Sequence, residues 1–164
     1  MHSPMSTVIR RAGLTDLDVV QEISAEAYIP AYKAVIGEVP KPAVEDYGPR
    51  IGRGEVWLLE EHDAAGGFIV LQEGPGYVLV YSIAVRPAQQ GRGYATKLLQ
   101  FAEQQAFARG VHELRLYTNT KMERNIALYR RCGFVEIGTR PHPSRAGEAL
   151  VDMVKQLPTR PASF

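Results

Sequence analysis

The stretch "VRPAQQGRGYATKLL", Val85 to Leu99, follows the apolar run "YVLVYSIAV" and leads into a segment with helical periodicity. A turn with one proline and two glycines therefore joins a predicted strand to a predicted helix. Unbonded backbone N–H groups and the positive end of the helix dipole meet at such a junction. Gly91 and Gly93 would let the main chain approach a bulky oxyanion, and Arg92 adds positive charge. The stretch predicts a phosphate site where the strand becomes a helix.

The same turn is compatible with other uses of glycine. Glycines near a helix start are common in ordinary turns between strands and helices. The spacing does not fit the dinucleotide fingerprint G-x-G-x-x-G, and no G-K-[ST] follows, as a nucleotide P-loop requires. These departures weaken the two commonest nucleotide sites. Binding of a nucleotide phosphate, such as that of ATP, stays open as a further function.

Length, charge and cysteine content limit the class of protein. The chain has 164 residues, 45% of them apolar, which predicts a single domain over residues 1–164. A formal net charge of +1 provides no global field for nucleic acid or anionic lipid, so neither is an expected partner. Cys132 is the one cysteine, which excludes an internal disulfide. Because the N-terminus lacks the apolar core of a secretory signal and no apolar run reaches membrane-spanning length, we expect a cytoplasmic protein.

Proline, glycine and hydrophobic periodicity predict an α+β domain built around one sheet. "TVIRRA" is predicted as the first strand, and an amphipathic helix follows it. The next stretch should be broken into a helix, a loop and a second short helix by its prolines. These are Pro30, Pro40, Pro42 and Pro49. A three-strand meander, a helix, a strand, a helix and two strands complete the predicted order β-α-α-β-β-β-α-β-α-β-β.

Two motifs of the chain resemble those of the GNAT acetyltransferase superfamily. "SIAVRPAQQGRGYATKLL" resembles the family's acyl-CoA-binding motif, which reads Gln or Arg, two residues, Gly, one residue, then Gly or Ala. "NIALYRRCGF" is similar to the second motif, which contains a Tyr and ends in Gly-Phe. The matching positions are Gln90, Gly93 and Ala95 in the first motif and Tyr129, Gly133 and Phe134 in the second. A predicted strand separates the two motifs, as the family requires, and the resemblance covers nearly the whole chain.

The resemblance implies the GNAT acyl-CoA N-acyltransferase fold, a mixed, mostly antiparallel sheet flanked by about four helices. It implies transfer of the acetyl group of acetyl-CoA to an amine by direct attack within a ternary complex, which releases coenzyme A. The acceptor can be a small molecule, a peptide N-terminus or a lysine, and the protein a monomer or a homodimer. A non-catalytic sensor or interaction module that binds acyl-CoA is the alternative. Thiol release from acetyl-CoA in the presence of amines distinguishes the two.

The resemblance also assigns residues to the cofactor. The backbone of Ile83, Ala84 and Val85 would run alongside the pantetheine arm, where neighbouring strands splay apart in the family, and one N–H group there would hold the oxyanion. The turn and the first helical residues would bind the pyrophosphate. These positions are Gln90, Gly91, Arg92, Gly93, Tyr94, Ala95 and Thr96. Tyr129 would protonate the departing thiolate, because an unperturbed phenol pKa of about 10 keeps it protonated at neutral pH.

One position departs from the family pattern. Many relatives carry an asparagine seven residues before the tyrosine, in contact with the pantetheine, and this chain has Met122 there. Asn125, one helical turn before Tyr129, or Asn119, at the end of the preceding strand, would replace that contact, and we favour Asn125. Asn119 is equally well explained as a turn residue. A basic residue two places after the tyrosine often meets a cofactor phosphate in the family, which assigns Arg131 to the cofactor.

The general base and the acceptor site are less defined. Tyr81 shares a strand face with Ile83 and is predicted to be catalytic with Tyr129. Glu73 could approach from the neighbouring strand, and a water chain is the third candidate for the base. Tyr28 and Tyr32, four residues apart on the first helix, either pack in the core or line the acceptor pocket. The predicted acceptor-binding residues are therefore Tyr28, Tyr32 and Glu73.

Metal chemistry and covalent catalysis are not expected. The four histidines include no i,i+4 pair, and with Cys132 alone they make no metal-ligand pattern. Cys132 is predicted to pack as a small side chain, because direct attack by an amine needs no acyl-enzyme. The loop "TRPHPSRAGEA" carries Arg140, His142 and Arg145, which would favour an acidic acceptor unless they are simply solvated.

Overall fold

The computed structural model describes residues 6–158, which form seven strands and five α-helices. The strands are β1 (Thr7–Arg11), β2 (Val56–Glu61), β3 (Ala64–Gly74), β4 (Tyr77–Val85), β5 (Glu113–Asn119), β6 (Val135–Pro141) and β7 (Ala149–Gln156). The helices are α1 (Leu17–Val35), α2 (Lys41–Val44), α3 (Gly48–Gly52), α4 (Tyr94–Ala108) and α5 (Glu123–Arg131). None of the helices within residues 6–158 is both long and apolar enough to cross a lipid bilayer.

The strands form one sheet in the order β1-β2-β3-β4-β5-β7-β6. Pairing is antiparallel between β1 and β2, β2 and β3, β5 and β7, and β6 and β7, whereas β4 and β5 are parallel. A parallel neighbour requires a crossover connection, and the segment that carries α4 supplies it between β4 and β5. The predicted α+β fold with a mixed, mostly antiparallel sheet is confirmed.

The chain divides into two compact units. The first comprises the chain up to Leu71 together with Ser82–Leu98, and the second comprises Gln72–Tyr81 together with the chain from Leu99 onward. The boundary falls within β3, β4 and α4. The single domain expected over residues 1–164 stays a prediction.

Each unit has its own buried apolar side chains. In the first, Phe68 of β3 is fully buried and meets the ring of Tyr47 edge to face, with centroids 5.4 Å apart. The Tyr47 hydroxyl donates a hydrogen bond to the carbonyl of Pro42 at 2.7 Å, and burial raises the pKa of Tyr47 above its ordinary value. In the second unit, Leu114 of β5 and Met153 of β7 are fully buried. Each unit thus has buried apolar side chains on its own strands.

Three helices lie between β1 and β2, and the prediction of two is corrected. Pro30 was predicted to be one of the prolines that break this stretch, but α1 continues through it to Val35. A proline inside a helix removes one hydrogen bond and costs about 3 kcal/mol. Tyr28 and Tyr32 flank Pro30, their rings meet edge to face at 5.8 Å, and the Tyr28 hydroxyl is hydrogen-bonded to β4. We attribute the continuity of α1 to these contacts, which the sequence pattern alone does not reveal.

Gly67 tests how closely β3 and β4 pack within the first unit. A Cβ atom at Gly67 would lie 2.7 Å from the main-chain oxygen of Ala84, so the backbone would have to shift. We expect Gly67→Ala to lower the free energy of unfolding by about 1–3 kcal/mol in denaturant titrations. Gly138 of β6 has no heavy atom within 4 Å of an added Cβ, and Gly138→Ala is the control, with a change within about 0.5 kcal/mol. Equal losses in both variants would contradict this close packing.

Candidate active site

The turn between β4 and α4 has the geometry of an anion site. Gly91 and Gly93 have φ values of +86° and +77°, in the left-handed region that other residues rarely adopt. The first hydrogen bond of α4 runs from the N–H of Lys97 to the carbonyl of Gly93, at 3.0 Å. The main-chain amides without an acceptor inside the helix are those of Tyr94, Ala95 and Thr96. They lie at the positive end of the helix dipole, where an anion is favoured.

The carboxylate of Glu61, at the end of β2, holds two residues of this turn. The Tyr94 hydroxyl donates to Glu61 Oε1 at 2.6 Å, and Arg92 Nη1 donates to the same oxygen at 3.3 Å. The hydrogen bond from Tyr94 holds the pKa of Glu61 below its usual range. The Tyr94 side chain is therefore directed at Glu61, and its main-chain amide is the part that an anion could bind. Sequence reasoning missed Glu61, which is separated from Tyr94 by 33 positions.

Arg86, directly after β4, ties the start of the turn to two other elements. Its Nη1 donates to Glu22 Oε1 at 2.6 Å and to Glu26 Oε2 at 2.7 Å, both on α1. Its Nε donates to the carbonyl of Ala65 at 2.9 Å, and its main-chain N–H donates to the carbonyl of Gly66 at 2.9 Å. Burial lowers the pKa of Arg86, but the two carboxylates outweigh burial and raise it overall. The i,i+4 spacing of the two glutamates on one helix face was the available sequence signal.

Gln90, in the same turn, is held to the end of β4 by one long hydrogen bond. Gln90 is exposed, and its Nε2 lies 3.4 Å from the carbonyl of Val85, which is a long hydrogen bond. Ala84 is buried, whereas Ile83 and Val85 are half-buried, in keeping with the alternation of side chains along a strand. The Gln90 side chain thus stays close to the strand end that was predicted to line the cofactor.

Tyr28 reaches that strand end from α1. Its hydroxyl oxygen lies 2.8 Å from both Ser82 Oγ and the carbonyl oxygen of Ile83, and it accepts the Ile83 N–H at 3.2 Å. Tyr32 contacts the Tyr28 ring edge to face. The structure therefore brings one predicted acceptor-binding residue, Tyr28, into contact with the predicted cofactor strand, and Tyr32 packs against its ring.

The second unit contains the predicted acid. Tyr129 lies on α5, is 8% exposed, and meets the ring of Phe134 edge to face at 6.1 Å. Asn125, half-buried one turn earlier on α5, has no side-chain hydrogen-bond partner among residues 6–158. Arg131 is exposed and has no ion pair within the same described range, whereas Arg130 donates to Glu136 at 2.8 Å. These surroundings leave Asn125 and Arg131 available for the roles predicted from the sequence.

Asn119 has the surroundings of a turn residue. Its Oδ1 accepts the N–H of Lys121 at 3.0 Å, and its Nδ2 donates to Glu148 Oε1 at 2.7 Å. Both ends of the buried side-chain amide are therefore occupied. This favours the turn reading that the sequence left open, and a cofactor contact by Asn119 stays a prediction without structural support.

The two candidates for the base have different surroundings. Glu73 is 71% exposed at the end of β3, beside the turn to β4, and pairs with Arg109 at 3.2 Å. Tyr81 is half-buried in the middle of β4. The alternation along β4 places Tyr81 and Ile83 on one face, as predicted. Nothing around Glu73 favours the role of a base or an acceptor contact, and Tyr81 is the candidate that we retain.

Arg140 was predicted to lie in the loop before the last strand but belongs to β6, whereas His142 and Arg145 lie in the loop between β6 and β7. The two arginines are paired with carboxylates. Arg140 forms two hydrogen bonds with Asp152, at 2.9 and 3.1 Å, and Arg145 lies 3.9 Å from Glu148. The Nδ1 atom of His142 accepts the N–H of Ser144 at 3.0 Å. These pairs leave little unbalanced charge for an acidic acceptor. Within residues 6–158, no group of three or more His, Cys, Asp or Glu side chains is arranged to hold a metal ion.

The strand order, the parallel β4–β5 step and the glycine turn before α4 together define the GNAT acyltransferase fold. Residues 20–134 match the acetyltransferase (GNAT) family, which is more than half of the chain. The chain therefore belongs to this family.

Relatives with known structures share the whole fold. The PaiA N-acetyltransferase of Thermoplasma acidophilum, in complex with coenzyme A, has a TM-score of 0.75 at 20% identity, over 93% of this chain and 99% of that chain. YncA of Salmonella typhimurium, with its cofactor acetyl-CoA, has a TM-score of 0.72 at 22% identity, over 96% of this chain and 98% of that chain. Identities this low establish likeness of fold alone.

One curated relative is similar in sequence. The uncharacterised N-acetyltransferase YvbK of Bacillus subtilis is 27% identical over 101 residues, which are 61% of this chain and 63% of YvbK. The match therefore spans less than two thirds of that protein's length.

The Glu61 carboxylate predicts a pH dependence of stability. Because its folded pKa is lowered, Glu61 stabilises the fold above its unfolded pKa of about 4.3, and the contribution is lost as the pH falls through the folded pKa. We expect Glu61→Gln to melt below the wild type at pH 7, with the difference shrinking below about pH 4. The control is Glu136→Gln, which breaks an exposed pair with Arg130 and should change Tm little at either pH. A pH-independent difference for Glu61→Gln would contradict this role.

Proposed function

We propose that this protein transfers the acetyl group of acetyl-CoA to an amine acceptor by direct attack, without an acyl-enzyme. The observation that carries the proposal is the group of main-chain amides at the start of α4, preceded by two left-handed glycines with no heavy atom within 4 Å of an added Cβ. Open amides beside residues without side chains fit the pyrophosphate of coenzyme A. The CoA and acetyl-CoA complexes of PaiA and YncA support the same choice of cofactor.

The residues of the first unit would bind and orient the cofactor. The amides from Gly91 to Thr96 would hold the pyrophosphate, with Glu61 and Arg86 fixing the turn in place. The backbone of Ile83 to Val85 would pair with the pantetheine arm. When bound, acetyl-CoA supplies an acetyl thioester, which an amine can attack. A main-chain N–H of this strand would donate to the negative charge that develops on the carbonyl oxygen.

The residues of the second unit would move protons. The Tyr129 phenol would pass its proton to the departing sulfur, so that coenzyme A leaves as the thiol. The attacking amine loses one proton as the C–N bond forms and the C–S bond breaks. We assign removal of that proton to Tyr81, acting directly or through a chain of water molecules. The acceptor is an amine of a small molecule, a peptide N-terminus or a lysine.

Turnover decides between an enzyme and a sensor. We expect calorimetry to detect binding of both coenzyme A and acetyl-CoA, and a thiol-release assay with amines, polyamines, amino acids and short peptides to detect turnover. Binding of both without thiol release for any acceptor would favour the acyl-CoA sensor. Thermal stabilisation by ATP but not by coenzyme A would instead favour a nucleotide site.

Tyr129→Phe tests the general acid. Loss of the phenol proton should lower kcat by about 100-fold or more, while the affinity for acetyl-CoA stays within about twofold, because a general acid acts on the leaving group. Tyr77→Phe is the matched control, since Tyr77 packs against Arg115 at the other end of β4. Wild-type kcat in Tyr129→Phe would exclude the acid role without affecting the cofactor proposal.

Arg131→Ala tests the predicted contact with a cofactor phosphate, and Arg130→Ala is its matched control. Arg131→Ala should weaken coenzyme A binding by about three- to tenfold, and more strongly at low salt, because an exposed charge contact to phosphate is lost. Arg130→Ala removes a guanidinium that is already paired with Glu136, so its affinity should match that of the wild type. Equal affinities of the two variants in calorimetry would show that Arg131 does not contact the cofactor.

A further inference from the structure

The N–H groups of Ile83 and Val85 point away from β3. The Arg86 N–H donates to the carbonyl of Gly66 on β3, and the Ala84 carbonyl lies close to Gly67 of the same strand. Main-chain groups alternate between the two edges along a strand. The odd-numbered residues, Ile83 and Val85, therefore turn their amides to the opposite edge of β4.

β5, the parallel neighbour of β4, pairs with the first part of that strand. The register joins Val78 to Leu114 and Leu79 to Arg115. Ile83, by contrast, has both its N–H and its carbonyl bonded to a side chain, the Tyr28 hydroxyl. One hydroxyl thus provides the acceptor and the donor that a residue of a paired strand would otherwise supply.

The Tyr28 hydroxyl has a choice of partners. With a single proton, it donates either to the Ile83 carbonyl or to Ser82 Oγ, both at 2.8 Å. The bond that it accepts from the Ile83 N–H is 3.2 Å long, at the upper end of the normal range. The bond from the Ile83 N–H is therefore the weakest of the three that the Tyr28 hydroxyl makes. If another acceptor bonds that N–H, the hydroxyl still has Ser82 Oγ and the Ile83 carbonyl as partners.

We propose that the Tyr28 hydroxyl accepts the Ile83 N–H in the free protein, at the position that the thioester carbonyl oxygen takes in the complex. Binding of acyl-CoA then displaces the hydroxyl from that amide. The inference rests on the proposed function, which requires a strand amide to bond the carbonyl oxygen. Tyr28 is then a positioning residue: it keeps the Ile83 peptide oriented before the cofactor binds and retains Ser82 and the Ile83 carbonyl as partners afterwards.

Displacement affects acylated and free coenzyme A differently. Acetyl-CoA has a carbonyl next to its sulfur and must exchange with the Tyr28 hydroxyl at the Ile83 amide. Free coenzyme A has no carbonyl there and leaves the hydroxyl in place. The hydroxyl therefore lowers the preference for acetyl-CoA over coenzyme A, and a purely structural tyrosine would alter both affinities alike.

The test is the ratio of the two dissociation constants in Tyr28→Phe, measured by calorimetry. Loss of the competing hydroxyl should raise the preference for acetyl-CoA over coenzyme A by about two- to tenfold, the worth of one hydrogen bond. Ser82→Ala is the matched control, because it removes another partner of the same hydroxyl and leaves the Ile83 contact; its ratio should stay within about twofold of the wild type.

The outcomes separate the two proposals. An unchanged or lowered ratio in Tyr28→Phe, with both ligands still bound, overturns the displacement and leaves the proposed function intact. Failure of the wild type to bind either ligand overturns the proposed function, and the displacement with it.

A measurement on the wild type covers the case in which Tyr28→Phe does not fold. In protein labelled with ¹⁵N-isoleucine, the Ile83 amide resonance is assigned with Ile83→Val, which keeps the main chain. Acetyl-CoA should shift this resonance clearly more than coenzyme A does, because only the acylated cofactor replaces its acceptor. Equal shifts with both ligands would overturn the proposal.

Discussion

At the start of α4, three main-chain amides have no carbonyl to bond within the helix, and two left-handed glycines keep the preceding turn open. An anion is the partner that both the amides and the helix dipole favour. Because main-chain donors have fixed directions, this turn sets the position of any bound phosphate. The strand before the turn, β4, is the segment that the proposed function places along the rest of the cofactor.

Three long-range contacts give the turn and the strand before it their shape. Glu61 binds the side chains of Tyr94 and Arg92, and Arg86 binds two carboxylates of α1. Tyr28 binds the main chain of β4. The contacts of Glu61 join the turn to the end of β2, and those of Arg86 and Tyr28 join the end of β4 and the start of the turn to α1. The first unit therefore orients this turn and the end of β4 through contacts between residues that are distant in the sequence.

The charged side chains that the sequence offered for acceptor binding are already paired within the protein. Arg140 of β6 is paired with Asp152, Arg145 of the loop before β7 with Glu148, and the exposed Glu73 with Arg109. An acceptor chosen by strong charge attraction is therefore not favoured by these groups. The tyrosines of α1 and β4 offer apolar bodies with polar tips, which suits a neutral amine in the attacking state.

Local pattern was enough to predict the strand-to-helix turn, since the glycines, the helix start and the apolar runs are close neighbours in the chain. It also predicted the order of the seven strands and the helices after β4 and β5 and, through the motifs around Gly93 and Tyr129, the family. It was wrong at Pro30, where contacts of Tyr28 and Tyr32 keep α1 continuous. It did not reveal the bonds from Tyr94 to Glu61 or from Tyr28 to Ile83, which span 33 and 55 positions. Such partners are brought together only by packing of the sheet and helices, so the tertiary structure alone decided them.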